Sequence, residues 1–256
     1  MEIVSLSTAL EPKFWEHVNQ DVPHFFFFAL DWKNSRDDTE ILLALKENRI
    51  DGMMLIYNER IVQLRGSRES VKALLERLVL EKVELQALKQ HKRYVLEKYK
   101  PTWSHELMLM MLSKGEERLQ ITHPMVTLNS SDAEQIAAIM KKVDPEFWGE
   151  ITSEQIVEGM STVNWVGIKE DGELVSIGRA RLTERVGHIP TVATHEAHRN
   201  KGYATSIVSY LVRLILEKMP IAIIYVLSDN PPAVRVYKNV GFKPYRKYFF
   251  MRGERR

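Results

Sequence analysis

The segment Thr191-Val192-Ala193-Thr194-His195-Glu196-Ala197-His198-Arg199-Asn200-Lys201-Gly202-Tyr203-Ala204-Thr205 decides how the rest of the chain is read. Its first residues are β-branched or small, as in a strand, and a polar stretch follows. Apolar residues then recur at Tyr203, Ile207, Leu211, Leu214 and Ile215, the 3.6-residue period of an amphipathic helix that runs to about Lys218. A strand therefore passes through a polar loop into a helix N-terminus. Gly202 lets the backbone approach a ligand with no Cβ in the way, and the small Ala204 keeps the next turn open. The first N–H groups of a helix have no partner inside it. Together with the positive end of the helix dipole they form a receptor for a diphosphate.

Upstream, Ser131-Asp132-Ala133-Glu134 has the form of a capping box, and Ile136, Ile139 and Met140 follow at helical spacing. Thr152 to Met160 reads as a second, short helix. Trp165–Ile168 and Leu174–Leu182 are strand-like and are joined through Asp171-Gly172, a hairpin signal; Gly187–Thr194 makes a third strand. Downstream, Pro220 closes the long helix, and Ile221–Leu227 is an apolar run suited to a strand buried on both faces. Asn230 and Pro231 supply an N-cap and first position for another helix, Gly241 ends it, and Phe242–Met251 reads as a last strand. The order is helix, helix, three strands, helix, strand, helix, strand. This predicts an α/β (α+β) fold with a central mixed, twisted sheet flanked by helices.

The first half reads as a worn copy of the second. Leu45-Lys46-Glu47-Asn48 corresponds to Ile168-Lys169-Glu170-Asp171, and Tyr99-Lys100-Pro101 to Phe242-Lys243-Pro244. The first half is the shorter between these landmarks, which places its missing residues in the loop before the long helix and around Asn230. Around Leu64-Arg65-Gly66-Ser67 it lacks a second small residue at the required spacing. The expected domains are 1–118, degenerate, and 119–256, the half that binds cofactor. Phe25–Phe28 with Trp32 are read as core at a strand or domain junction, and Met108–Met111 as strand or core packing.

Two motifs carry a family resemblance over roughly residues 119–256. Arg199, Gly202 and Ala204 match the Arg/Gln-x-x-Gly-x-Gly/Ala diphosphate loop of the Gcn5-related N-acetyltransferase (GNAT) superfamily. Asn230, Ala233, Tyr237, Gly241 and Phe242 match its Asn-x-x-Ala-x-x-x-Tyr-x-x-x-Gly-Phe pattern, and positions 230, 233 and 237 share one helix face. A degenerate half followed by a complete one resembles the FR47-like and glycine N-acyltransferase-like branch. The resemblance implies a GNAT fold and acyl transfer from acetyl-CoA directly to a primary amine, on a small molecule or a protein. A non-catalytic acyl-CoA-binding module is the alternative, and a homodimer is compatible with either.

By the same resemblance, amides from Asn200, Lys201, Gly202, Tyr203, Ala204 and Thr205 hold the diphosphate. Val192 and Thr194 pair with the pantetheine amides, an N–H near Val192 or Ala193 polarises the thioester carbonyl, and Asn230 bonds the pantetheine arm. Tyr237 is the expected general acid toward the departing thiolate; Glu184 and His188 are the candidates for the base. His195 and His198 lie three apart in a loop, not at the i, i+4 helical spacing of a metalloprotease pair, so no metal is expected.

Composition narrows the rest. With 36 basic and 34 acidic residues the net charge is +2, and no basic stripe points to nucleic acid. No cysteine is present, so disulfides and thiolate chemistry are excluded. The N-terminus lacks the pattern of a signal peptide, and no apolar run is long enough for a bilayer, so no membrane partner and a cytoplasmic location are expected.

Overall fold

The computed structural model describes residues 1–256. In chain order the first half contains β1 (Glu2–Ser5), α1 (Glu11–Asn19), α2 (Phe26–Asn34), β2 (Thr39–Lys46), β3 (Arg49–Tyr57), β4 (Ile61–Gly66), α3 (Arg68–Arg77), β5 (Lys82–Leu88), α4 (Lys92–Lys98) and β6 (Tyr99–Ser113). The second half contains β7 (Val126–Thr127), α5 (Ala133–Val143), α6 (Pro145–Trp148), α7 (Ser153–Gly159), β8 (Asn164–Glu170), β9 (Glu173–Leu182), β10 (Val186–Thr194), α8 (Tyr203–Lys218), β11 (Ile221–Leu227), α9 (Pro231–Val240) and β12 (Lys243–Arg255). Apart from the one-turn α6, the two halves repeat a single order of elements. This is a mixed α/β architecture, as predicted. No helix is long and apolar enough to cross a membrane.

The chain divides into two compact units. One holds Met1–Leu109, Leu227–Asp229 and Tyr245–Arg256; the other holds Met110–Val226 and Asn230–Pro244. Strand order in the first is β1-β2-β3-β4-β5-β12, and in the second β7-β8-β9-β10-β11-β6. The sequence boundary at 118/119 assigns β12 to its own half. In the structure β12 runs antiparallel to β5 from Tyr248↔Leu88 to Glu254↔Lys82, and the end of β6 belongs to the second unit.

Local signals set most elements of the second unit. Asp171 (φ 51°) and Gly172 (φ 86°), both in the left-handed region, form the tight β8–β9 turn, whose twist matches the right-handed twist of the strands. The capping box expected at Ser131 falls at Asn129, on a 3-10 turn that leads into α5: Asn129 Oδ1 accepts the Ser131 N–H at 2.9 Å, and the Asp132 carboxylate accepts the Asn129 N–H at 3.0 Å. Asp132 also takes Lys169 Nζ at 2.8 Å, and that hydrogen bond holds its carboxyl below the usual range.

Helix α8 lies directly on the sheet because two glycines make room for it. A Cβ on Gly178 would stand 2.4 Å from Ile207 Cγ2, and one on Gly187 2.3 Å from Ile215 Cγ2. The opposite face packs on α5 and α7 through a core of Ile136, Ile139, Met140, Ile156, Trp165, Ile177 and Ala193.

In the first unit Phe25, Phe26 and Phe28 are buried in the core, but they belong to a helix start and not to a strand junction. Phe25 is the N-cap of α2 and residues 26–28 open it, and Phe25, Phe28 and Trp32 pack with Phe14, Val18, Ile41, Leu43, Met53 and Leu55. The first-half turn falls at Glu47 (φ 50°) and Asn48 (φ 62°), so Lys46 is the counterpart of Glu170, one place later than the sequence alignment puts it. The shortfall of this half lies in β4 (6 residues against 9 in β10), in α3 (10 against 16 in α8) and in the loop between them, which is Ser67 alone. Around Asn230 the connection is not shortened, since β5 and α4 are separated by as many residues as β11 and α9, but α4 itself has 7 residues against 10 in α9.

Candidate functional site

The loop predicted to hold a diphosphate runs from His195 to Gly202. Its chain reverses through two left-handed residues, Asn200 (φ 64°) and Gly202 (φ 84°). Gly202 is the N-cap of α8 and offers no side chain to it, and the first helical bond is Ser206 N–H to Gly202 O at 3.0 Å. The N–H groups of Tyr203, Ala204 and Thr205 are therefore unused by the helix. A Cβ on Gly202 would have only His123 Cε1 nearby, at 3.5 Å, so the approach is open. The Arg199 side chain is exposed and takes no partner in the protein.

The corresponding turn in the first unit is closed by its own side chains. Ser67 caps α3 by accepting the Ser70 N–H at 3.2 Å, and Ser70 Oγ lies where a Cβ on Gly52 would fall.

Side chains that the motif did not flag brace the loop. The Glu170 carboxylate accepts from the Tyr203 hydroxyl, from His198 Nδ1 at 2.7 Å and from Lys201 Nζ at 3.4 Å. Burial works against its charge, but the bonds from His198 and Lys201 hold its carboxyl below the usual range. His195 Nδ1 accepts the Ala197 N–H, and its Nε2 lies 3.0 Å from Lys142 Nζ. His195 and His198 thus have separate partners, and the structure contains no group of three or more His, Asp or Glu placed to hold a metal ion.

Behind the loop the sheet opens. β10 pairs in parallel with β11 only from Val186↔Ile221 to Ile189↔Ile224. The next residue, Pro190, has no N–H to give to a ladder. Beyond it β10 stays paired to β9 alone, with a register shift between His188 and Thr191.

The ladder also decides which β10 amides face the opening. His195 N–H donates to Val175 O at 2.9 Å, so by strict alternation Ala193 and Thr191 bond with Ile177 and Arg179. The N–H groups of Val192 and Thr194 then point away from β9, into the split. Ala193, expected as an alternative donor to the carbonyl, has its N–H committed to β9.

Helix α9 contributes Asn230, Ala233 and Tyr237. Asn230 Oδ1 accepts the Ala233 N–H at 3.2 Å as the N-cap, which leaves the Asn230 amide NH2 for any other contact. Tyr237 is buried, and its hydroxyl takes no hydrogen bond from the protein. Burial pushes its phenol far above the ordinary range, so it stays protonated. Gly241 (φ 119°) ends the helix.

The two candidate bases separate. Glu184 is not at the start of β10: it lies in the exposed turn before it, eight residues ahead of Val192, or about 26 Å along an extended strand. His188 lies within β10 and is buried, and its ring meets Tyr225 edge-on with centroids 5.6 Å apart. Burial, then Arg179 and Arg181, push its imidazole down to about 3. Since Gly187 faces α8, His188 and Tyr225 face the other side of the sheet, where Arg179 and Thr191 also stand.

A family model described as FR47-like protein matches residues 165–251. A search of curated protein sequences found no match. Among solved structures, a Drosophila melanogaster protein aligns with a TM-score of 0.73 at 9% identity, covering 97% of this chain and 98% of its own. A GCN5-related N-acetyltransferase from Sphaerobacter thermophilus aligns at 0.66 and 13%, covering 98% and 95%. A tandem GNAT protein from the clavulanic acid biosynthesis pathway aligns at 0.57 and 11%, covering 99% and 98%.

Proposed function

From a chain whose residues 165–251 carry an FR47-like domain on the fold of the Gcn5-related N-acetyltransferases, we propose an acetyl-CoA-dependent N-acyltransferase acting directly on a primary amine. The observation that carries this reading is the uncapped start of α8 beside the β10–β11 split. Three unused N–H groups, Gly202 in the left-handed region and an unpartnered Arg199 stand where a diphosphate fits, next to outward-facing amides on β10.

In this reading the amides of Asn200 to Thr205 and Arg199 hold the diphosphate, and Val192 and Thr194 line the split. The Val192 N–H donates to the thioester oxygen, whose negative charge grows as the amine attacks. The amine nitrogen bonds to the carbonyl carbon and the carbon–sulfur bond breaks. The nitrogen gives up a proton through water toward neutral His188, and the sulfur leaves as a thiolate that accepts a hydrogen bond from the Tyr237 hydroxyl. Burial makes the Tyr237 phenol a weaker acid than the thiol, so it stays protonated and acts as a hydrogen-bond donor to the departing sulfur. The first half, with the start of α3 capped by Ser67, is a duplicated copy that has lost its cofactor loop and serves as scaffold.

Free-thiol release from acetyl-CoA against a panel of primary amines, run beside calorimetric titration with CoA, tests the proposal. Binding with turnover is expected. Binding without turnover across the panel overturns the enzyme in favour of an acyl-CoA-binding module, and absence of binding overturns both.

A further inference from the structure

We propose that His123 is a cofactor-binding residue whose Nε2–H donates to the diphosphate held at the start of α8. The inference rests on the CoA reading of that loop for the identity of the anion, and on the placement of His123 for the rest.

The placement begins with two serines. Ser206 and Ser209 are fully buried on the apolar helix α8, at i, i+3 spacing and so on one face. A buried hydroxyl needs a partner, and theirs come from the segment 114–125 that joins β6 to β7. Every second N–H of that segment donates, as in an extended chain: Arg118 to Val240 O at 2.8 Å, Gln120 to Ser209 Oγ at 3.0 Å and Thr122 to Ser206 Oγ at 3.1 Å. The segment thus runs along α8 toward its N-terminus, and the next residue, His123, arrives at Gly202. Its ring meets Tyr203 edge-on with centroids 4.5 Å apart, and its Cε1 is the atom 3.5 Å from where a Cβ on Gly202 would stand. Cε1 lies between the two ring nitrogens, so the nitrogen-bearing edge of the ring faces the loop.

Hydrogen bonding assigns the proton of that ring. Nδ1 lies 3.0 Å from Thr122 Oγ1 and 3.1 Å from Ser206 Oγ. Each hydroxyl has a hydrogen to place, and the imidazole nitrogen is the strong acceptor within reach of both. With Nδ1 accepting, the proton of the neutral ring sits on Nε2, which has no partner in the protein.

The surrounding charges leave His123 for a ligand. His195 faces Lys142, and Glu170 holds His198, Lys201 and the Tyr203 hydroxyl. Lys201 Nζ also lies 5.9 Å from the centre of the Tyr203 ring. Arg199 and His123 Nε2 are the basic groups of the loop that no side chain engages. A second polar group of the same cofactor site is also unsatisfied: the Tyr237 hydroxyl, on a side chain 7% exposed. An anion beside His123 favours its protonated form, so CoA binding takes up a proton there and the contact strengthens as pH falls.

The test needs no turnover. CoA is titrated calorimetrically into the wild type, His123→Ala and His123→Gln at about pH 8 and about pH 6, Tm is measured for each, and the ring nitrogens are followed by NMR in 15N-histidine-labelled protein. His123→Ala is expected to lose CoA affinity about tenfold, as for a hydrogen bond to a charged group at a partly exposed site. His123→Gln, whose amide NH2 stands in for Nε2–H, should keep most of the affinity at the higher pH and fall behind the wild type at the lower. The His123 signal, identified by its loss in the Gln variant, should show the proton on Nε2 at the higher pH and should move on saturation with CoA. Equal CoA affinity in the wild type and His123→Ala, or a His123 signal that saturating CoA leaves in place, overturns the inference while the cofactor loop stands. Equal losses in the Ala and Gln variants with Tm lowered in both also overturn it, since His123 then only props Tyr203. Failure of the wild type to bind CoA overturns the cofactor reading itself.

Discussion

Gly202 offers a way to separate backbone strain from charge at the start of α8. With φ at 84°, any side chain there carries the left-handed cost of about 1–2 kcal/mol. No steric term adds to it, since the nearest atom to a Cβ is His123 Cε1 at 3.5 Å. For a chain of this size Gly202→Ala should therefore lower Tm by about 2–8 °C. Gly202→Glu shares that loss and also places a negative charge about 5 Å from a bound diphosphate. One unit pair at that distance repels by about 0.8 kcal/mol at a dielectric constant of 80 and about 3 kcal/mol at 20, or roughly 4-fold to 300-fold in CoA affinity. Calorimetric titration of CoA into wild type, Gly202→Ala and Gly202→Glu at low and high salt reads the difference directly. The Glu variant should lose more affinity than the Ala variant, and added salt should narrow the gap. Equal CoA affinity in the Ala and Glu variants at low salt would refute the placement of the diphosphate.

Three further outcomes are expected. Tyr237→Phe should lower kcat by about 100-fold or more in thiol release while leaving CoA affinity and Tm unchanged, because the hydroxyl bonds nothing in the protein. Gly187→Ala should cost about 1–3 kcal/mol in denaturant unfolding, since its Cβ would meet Ile215 Cγ2 at 2.3 Å and α8 would have to shift. His188 is held neutral down to about pH 3, whereas an unfolded histidine protonates near 6.5, so the unfolded chain binds the extra proton and stability falls as pH drops between those values. His188→Gln should flatten the urea-unfolding stability profile between pH 4 and 6 by about 1.4 kcal/mol per pH unit. An unchanged slope would show that His188 titrates normally.

Much of the second unit could be read locally. Helices α8 and α9 begin and end as predicted because periodicity, Asn230, Pro231 and Gly241 all act within a turn of themselves. The β8–β9 turn follows from Asp171-Gly172 for the same reason. Errors arose where two local signals compete or where a count must be carried across strands. Asn129 and Ser131 are both good caps, and only the position of Asp132 selects Asn129. The resemblance offers Glu184 as a base at the start of a strand, but the bend at Glu184-Arg185 leaves it in an exposed turn ahead of β10. Arg179 is invisible in the sequence because a lone arginine in a strand has no motif; its bond to Thr191 and its stacking on Trp148 and Trp165 come from distant segments.

The sequence by itself determined the order of elements, the glycine-bearing loop into a helix start and the Asn230-to-Tyr237 face, because each depends on residues a few positions apart. Tertiary structure alone decided that β12 pairs with β5, that the ladder beyond Pro190 turns Val192 rather than Ala193 toward the split, and that Trp148, Trp165, Arg179 and His188 share one face. Strand partners and register are set by burial and hydrogen bonding summed over distant segments. No short window of sequence contains that sum.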